Sequence, residues 1–412
     1  MALRKNQNFL SATEKKQFTD AVIALKAGGR DGNQYDQFVS MHNNNIPAGH
    51  FGPAFFAWHR EYLIKFEEAL QSIKNDQSLA LPYWDWSVNQ SQASSWPFTA
   101  DFLGGNGNKD FQWQVADGPF AYNTGQWPLN VRSGSEPYPY LVRQLGDSRY
   151  AHSLPTWANV QDTLQATPYD VSPWNSISGS GFRNRSEGYI PSGSFGMHTR
   201  VHTWVGGSMT TWTSPNDPVF WLHHCFMDKL WADWQAMHKD QQPYLPPSGA
   251  APDHNLTDPM PPWNTPNETV TPANVLTTTG HGYHYDTDGL LLAGEVLYPN
   301  QAIYLASPQA MAGKPNYLLV YDNTGVLKLE RAGAQGAIWA SDNRPNENIG
   351  KATLESQGNL VIYGPDNKTV VWQSGSYVDD RPGYLSVQPD GHVSIFPRSG
   401  TKPIWTRPTP KP

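Results

Sequence analysis

Residues 198–234 read HTRVHTWVGGSMTTWTSPNDPVFWLHHCFMDKLWADW. His198 and His202 are four positions apart, so on a helix both imidazoles lie on one face and can reach one point. A third histidine follows 22 residues after His202, in the pair His223–His224. Residues 41–70, MHNNNIPAGHFGPAFFAWHREYLIKFEEAL, add His42, His50 and His59. The chain thus carries two groups of three histidines. Neutral imidazole suits copper, zinc, iron and nickel. A structural zinc site would carry cysteines, and Cys225 is the one cysteine of the chain. The zinc-protease pattern HExxH is excluded, because Thr199 stands where its glutamate belongs. A lone histidine on an apolar helix is most often a packed residue. His59, however, falls in the stripe Phe55, Trp58, Tyr62, Leu63, Phe66, Leu70. An imidazole buried there needs partners, and a metal ion supplies one.

Length and composition bound the rest. The chain has 412 residues, enough for two domains. Its net charge is −7, and no basic patch or long charge run argues for nucleic acid as a partner. No apolar run approaches the ~18 residues of a membrane span. The N-terminal MALRKNQNFLSATEKKQF has no secretory apolar core; a cytoplasmic protein and a processed secreted form both remain open. One cysteine rules out an internal disulfide and favours neither compartment.

Ser11 to Lys26 reads as a first helix, with Ser11 and Glu14 as a capping box. Tyr35 to His42 reads as a second, and Pro53 can open a third. LPYWDW at 81–86 reads as structural packing. Residues 87 to about 181 are rich in Gly, Ser, Asn, Pro and Trp and are expected to be irregular. Residues 241–280 are proline-rich and expected to wrap the core in extended conformation.

HxxxH followed by SPNDPVFWLHHCFMDKLW resembles the second copper site of the tyrosinase family. HFGPAFFAWHREYLIKFEEAL resembles the first. Gly282-Tyr283-His284-Tyr285-Asp286 is similar to the tyrosine motif that closes the family's core. The resemblance implies a mainly α-helical fold, a four-helix bundle around two coppers with long loops, spanning residues 1–287. It implies that His42, His50 and His59 bind one copper and His198, His202 and His224 the other, with His223 a hydrogen-bonding neighbour. The implied function is oxidation of o-diphenols to o-quinones with O2 as co-substrate, with o-hydroxylation of monophenols in doubt. A phenol has an ordinary pKa near ~10, so its deprotonation needs help. By its FRNRSEGY context, Glu187 matches the family residue that holds a water for this step. Thr199 stands where monophenol hydroxylases often place the asparagine that pairs with it. Thr203, Thr211 and Phe220 are further expected substrate contacts, and the small Thr211 implies an open pocket. Ala48 occupies the position of a cysteine that some relatives bond to the middle histidine of the first site. An o-aminophenol oxidase on the same site is an alternative, and an oxygen carrier or a carbohydrate-binding protein without turnover is another.

The last 120 or so residues repeat. Trp339, Trp372 and Trp405 are spaced by 33, in AIWASD, VVWQSG and PIWTRP. Each follows a run of strand character with turn residues, so one β unit is used three times. The pattern resembles the bulb-type mannose-binding lectins, which implies an all-β prism of three repeats over 288–412. That family reads mannose with Gln-x-Asp-x-Asn-x-Val-x-Tyr. Here the second repeat has Glu355, Gln357, Asn359, Val361 and Tyr363, and the third has Gln388, Asp390, His392, Ser394 and Phe396. No copy is intact, so binding of mannose-type glycans, shielding of the core and association of chains through the prism stay open.

Overall fold

The structure is a computed structural model. It describes residues 2–7, 10–28, 32–87, 97–134, 137–146, 153–164, 166–188, 196–238, 241–285, 290–292, 296–299, 301–304, 317–331, 336–355, 357–377, 384–388, 390–397 and 402–408. Asp286 of the tyrosine motif and the expected domain boundary at 287–288 lie outside them. The chain divides into two compact units, one of residues 1–232 with 242–284 and one of residues 233–241 with 285–412.

The first unit is built on helices. α1 (Ala12–Ala27) begins with the Ser11–Glu14 capping box and buries Phe18, Val22 and Leu25. α2 (Gln34–Asn44) and the short α3 (Ile46–Gly49) lead into α4 (Phe55–Lys74). α5 (Trp157–Leu164) is a helix where the composition argued for irregular chain. α6 (Phe182–Glu187), α7 (Met197–Val205) and α8 (Val219–Met237) complete the set among the described residues. Aromatic rings join α2, α4 and α8. Phe66 stacks on Trp221 at 3.5 Å, and Tyr62 meets both Phe38 and Trp221. No described helix is long and apolar enough to cross a membrane.

A buried ionic cluster ties the unit together. Asp228 accepts from Arg60 Nε at 2.5 Å, from Arg4 Nη1 at 3.3 Å and from the Tyr283 hydroxyl at 2.7 Å. Arg4 also pairs with Glu67. The closing tyrosine motif therefore serves to seat Tyr283 on a carboxylate of α8. The proline-rich segment is more structured than extended chain, with a short strand pair (Asn264–Thr265 and Glu268–Thr269) and a 3-10 turn at Pro272–Val275. Its carbonyls receive the indole N–H of Trp58 at Pro261 and of Trp231 at Pro243.

The second unit contains three four-stranded antiparallel sheets. Each takes three consecutive strands from one repeat. Gln301–Tyr304 completes the first sheet, Val296–Leu297 the second and Leu290–Leu292 the third. Leu329, Ile362 and Ile395, again 33 apart, face Trp339, Trp372 and Trp405 in register. The three indoles meet edge to face at 5.8–6.4 Å. They pack over a core that includes Leu291, Leu297, Ile303, Leu319, Leu354 and Leu385.

Candidate metal centre

α2 carries His42 in its last turn, and the loop after α3 presents His50. α4 carries His59, α7 carries His198 and His202, and α8 carries His223 and His224. Ring nitrogens of His42, His50 and His59 lie within 4.8 Å of one another, and so do those of the four histidines of α7 and α8. The groups face each other: His59 stacks on His224 at 4.3 Å, and His50 lies 6.0 Å from His198. Six of the seven are almost fully buried, and His202 is half-buried.

Burial sets their charge. An imidazolium without solvent is disfavoured, and neighbouring imidazoles add repulsion. His42 is lowered to about 3 and His202 to about 4, each chiefly by burial. His50, His59, His198, His223 and His224 fall well below the ordinary value for the same first cause. All seven are neutral near pH 7, so each has one N–H and one lone pair.

Hydrogen bonds decide which nitrogen carries the lone pair. A carbonyl can only accept, so Nδ1 is the donor in His42 to Trp212 O (2.8 Å), in His59 to Phe55 O (2.8 Å) and in His202 to Met209 O (2.7 Å). Their Nε2 lone pairs are left for a metal. Nε2 of His42 and of His59 is buried without a hydrogen-bond partner. Nε2 of His198 and of His202 each approach Nε2 of His224 to 3.3 Å. Three nitrogens aimed at one point are satisfied by a cation between them. His223 differs. An indole N–H only donates, and Trp86 Nε1 donates to His223 Nδ1 at 3.2 Å. The proton of His223 therefore sits on Nε2, which disqualifies that nitrogen as a ligand. Two sets of three neutral imidazoles, free of thiolate and carboxylate, fit a pair of copper ions.

Around the histidines, Glu187 is fully buried. Its Oε1 accepts from Phe51 N–H at 2.6 Å and its Oε2 from Arg183 Nη1 at 2.9 Å. Burial pushes its pKa up, while the Arg183 guanidinium pulls it down. Thr199 reaches the backbone of Glu187 rather than its carboxylate: its hydroxyl donates to Glu187 O at 2.7 Å. Thr203 donates back into α7, to Thr199 O and Arg200 O. Thr211 bonds Ser208 O and Thr213 Oγ1. Phe220, expected as a substrate contact, lies against the imidazoles. It is fully buried, stacks on His224 at 4.0 Å and meets His42 edge-on at 5.1 Å, so it packs the imidazoles from within. The exposed ring near the site is instead Trp212, 46% exposed and 6.0 Å from His50.

Sequence reasoning missed Trp86 and Arg183. Trp86 sits in the packing motif but fixes the tautomer of His223. Arg183 pairs with both Glu187 and Asp170, and its four-residue spacing from Glu187 was the available signal. Asp228 bonds arginines and a tyrosine, and no copper-group imidazole is among its hydrogen-bond partners described above.

In the second unit one pair of lectin-motif residues of the second repeat is bonded within the motif, and Asn359 is bonded to residues outside it. Tyr363 OH donates to Glu355. Asn359 Oδ1 accepts from Ser374 Oγ and Gly375 N, and its Nδ2 donates to Gln373. Val361 is buried and Gln357 exposed. In the third repeat His392 pairs with Asp390 at 2.9 Å, Ser394 bonds Thr406, Phe396 stacks on Tyr384, and Gln388 N–H closes the turn on His392 O.

Comparison with known proteins agrees with this geometry. The family model for the common central domain of tyrosinase matches residues 32–237. The chain is 48% identical to a tyrosinase of Streptomyces glaucescens over 297 residues, covering 70% of this chain and all of the relative. It is 47% identical to a tyrosinase of Streptomyces antibioticus over 294 residues, covering 69% of this chain and all of the relative. Among solved structures, a polyphenol oxidase from Thermothelomyces thermophila superposes with a TM-score of 0.51 at 25% identity, over 69% of this chain and 88% of its own. With six metal-ready imidazoles in two facing groups and these relatives at full length, the chain belongs to the tyrosinase family.

Proposed function

We propose that this protein is a copper-dependent phenol oxidase whose main reaction converts o-diphenols to o-quinones while O2 is reduced to water. His42, His50 and His59 hold one copper, and His198, His202 and His224 hold the other. The observation that carries this assignment is the set of Nε2 lone pairs left for a metal in His42, His59 and His202 by their Nδ1–carbonyl bonds. Bound copper supplies the electron transfer between phenol and O2; the protein supplies geometry, neutrality and exclusion of water.

Glu187 is the base candidate for phenol deprotonation, since burial raises its proton affinity toward a useful range. The Thr199 hydroxyl proton is committed to a carbonyl, which supports diphenol oxidation over monophenol hydroxylation. Residues 1–287 form the catalytic domain in this reading, and 288–412 a lectin-like β-prism. Tyr363 and Glu355 of its second repeat are bonded to each other and Asn359 to Ser374 and Gly375, which favours a structural prism over a glycan site.

Oxygen uptake by copper-loaded protein, with L-tyrosine and L-DOPA run side by side, tests the reading. Uptake with L-DOPA alone supports a catechol oxidase. Uptake with both shows that Thr199 suffices for hydroxylation. Uptake with neither turns attention to o-aminophenols and then to oxygen carriage.

A further inference from the structure

We infer that His254, in the proline-rich segment beyond α8, is a positioning residue for the loop that carries His50. The inference rests on the copper assignment above. His42, His59 and His202 are each oriented by a carbonyl on Nδ1. The Nδ1 of His50 lacks a hydrogen bond of ordinary geometry, and the ring interacts with the backbone of Ile46, beside Pro47 in the same loop, so its orientation depends on that loop's backbone. His254 holds that backbone at both ends. Its Nε2 donates to Pro47 O at 2.9 Å, three residues before His50. Its Nδ1 accepts from Ala54 N–H at 3.3 Å, four residues after it. A carbonyl cannot donate and an amide N–H cannot accept, so one neutral tautomer satisfies both bonds.

The fit between ring and loop is close. A Cβ added at Gly52 would stand 2.7 Å from Nδ1 and Cε1 of His254. His254 is 6% exposed, its carbonyl accepts from Tyr244 OH at 2.7 Å, and its N–H donates to Ala251 O at 3.2 Å. Inside the clamp, Phe51 takes a left-handed backbone (φ 64°) and donates its N–H to Glu187. Tyr169 OH fixes Pro53 O at 2.6 Å. Ala54 begins α4 with no side-chain cap of its own, so the imidazole takes up an N–H that the helix leaves open. Through this bridge His254 acts first on His50, one of the three ligands of one copper, rather than on the histidines of α7 and α8.

The test uses the full chain, loaded with copper and dialysed against a fixed chelator. Wild type should retain two coppers. His254→Ala should fall toward one, because loss of a supporting partner weakens a metal site by roughly 10–100-fold. The remaining isolated Cu(II) should show a paramagnetic resonance signal that a coupled pair lacks. His254→Gln, with an acceptor and a donor on one amide, should recover part of the loss. Gly52→Ala, which pushes the ring away, should reproduce it. In the copper-free protein, the Ala54 and Phe51 amides should exchange faster in His254→Ala and in Gly52→Ala. Two coppers held as firmly as in wild type, equal loss from both sites, or unchanged amide exchange would overturn the inference. A wild type that takes up no copper would refute the copper assignment instead, and the exchange data would still decide the clamp.

Discussion

Acid should destabilise the copper-free protein through its metal-site histidines. An unfolded histidine titrates near ~6.5, whereas folded His42 titrates at about 3 and His202 at about 4. The folded value is the lower one. Each residue's contribution is therefore complete above the unfolded value and is lost as pH falls from there toward the folded value. Between about pH 7.5 and about pH 5.5 each of the two should cost about 1.4 kcal/mol, or about 3 kcal/mol together, as the unfolded chain binds protons that the folded one refuses. Glu187, Asp170 and Glu61 are shifted up by burial and work in the opposite direction, so a total proton uptake is ambiguous. A difference is not. Urea midpoints of the copper-free chain, taken across this pH range for wild type and for His202→Gln, give the protons bound on unfolding. The variant should bind about 0.9 fewer near pH 5.5. Equal uptake would mean that folded His202 is already protonated there, and the argument for metal-ready neutral imidazoles would collapse.

His202→Ala should remove copper from the α7–α8 group and abolish oxidation, measured by copper content and oxygen uptake; surviving turnover contradicts the ligand set. Thr199→Asn should raise the ratio of monophenol to diphenol rate, because an amide can meet both the Glu187 carbonyl and a water; an unchanged ratio counts against a water-binding role at this position. Asp228→Ala should lower stability by about 3–5 kcal/mol, since it leaves two buried guanidiniums facing a lost carboxylate. Activity per folded molecule should be retained, and loss of copper without loss of stability would mean that Asp228 supports a ligand instead.

The two histidine groups were legible because most of their spacing is local: i, i+4 on α7, a histidine pair in α8, and two histidines flanking the start of α4, with His42 eight positions before His50. The capping box at Ser11 and the 33-residue repeat are local too. What could not be read is the set of partners brought together by folding. Trp86 and His223 are far apart in sequence, and nothing in LPYWDW distinguishes an indole that packs from one that fixes a tautomer. His254 is one histidine in a proline-rich stretch, and its meaning comes from two backbone groups some two hundred positions earlier. The packing of Phe220 is hidden for the same reason: an aromatic residue one turn before His224 can point to either side of the helix, and packing alone decides.

The strands between Leu290 and Tyr304 have a topological consequence. They pair in reverse order, the last with the first repeat and the first with the last. Val320 finds Ala302 only 18 positions away, whereas Leu385 must find Leu291 across 94. Long loop closure slows pairing, so the earliest strand made is the last to be matched. The array is consequently unlike a solenoid, in which a repeat contacts only its neighbours and can be removed. Here the loss of the final repeat would strand Leu290–Leu292 with an open edge, and the three units must be inherited, truncated or duplicated together.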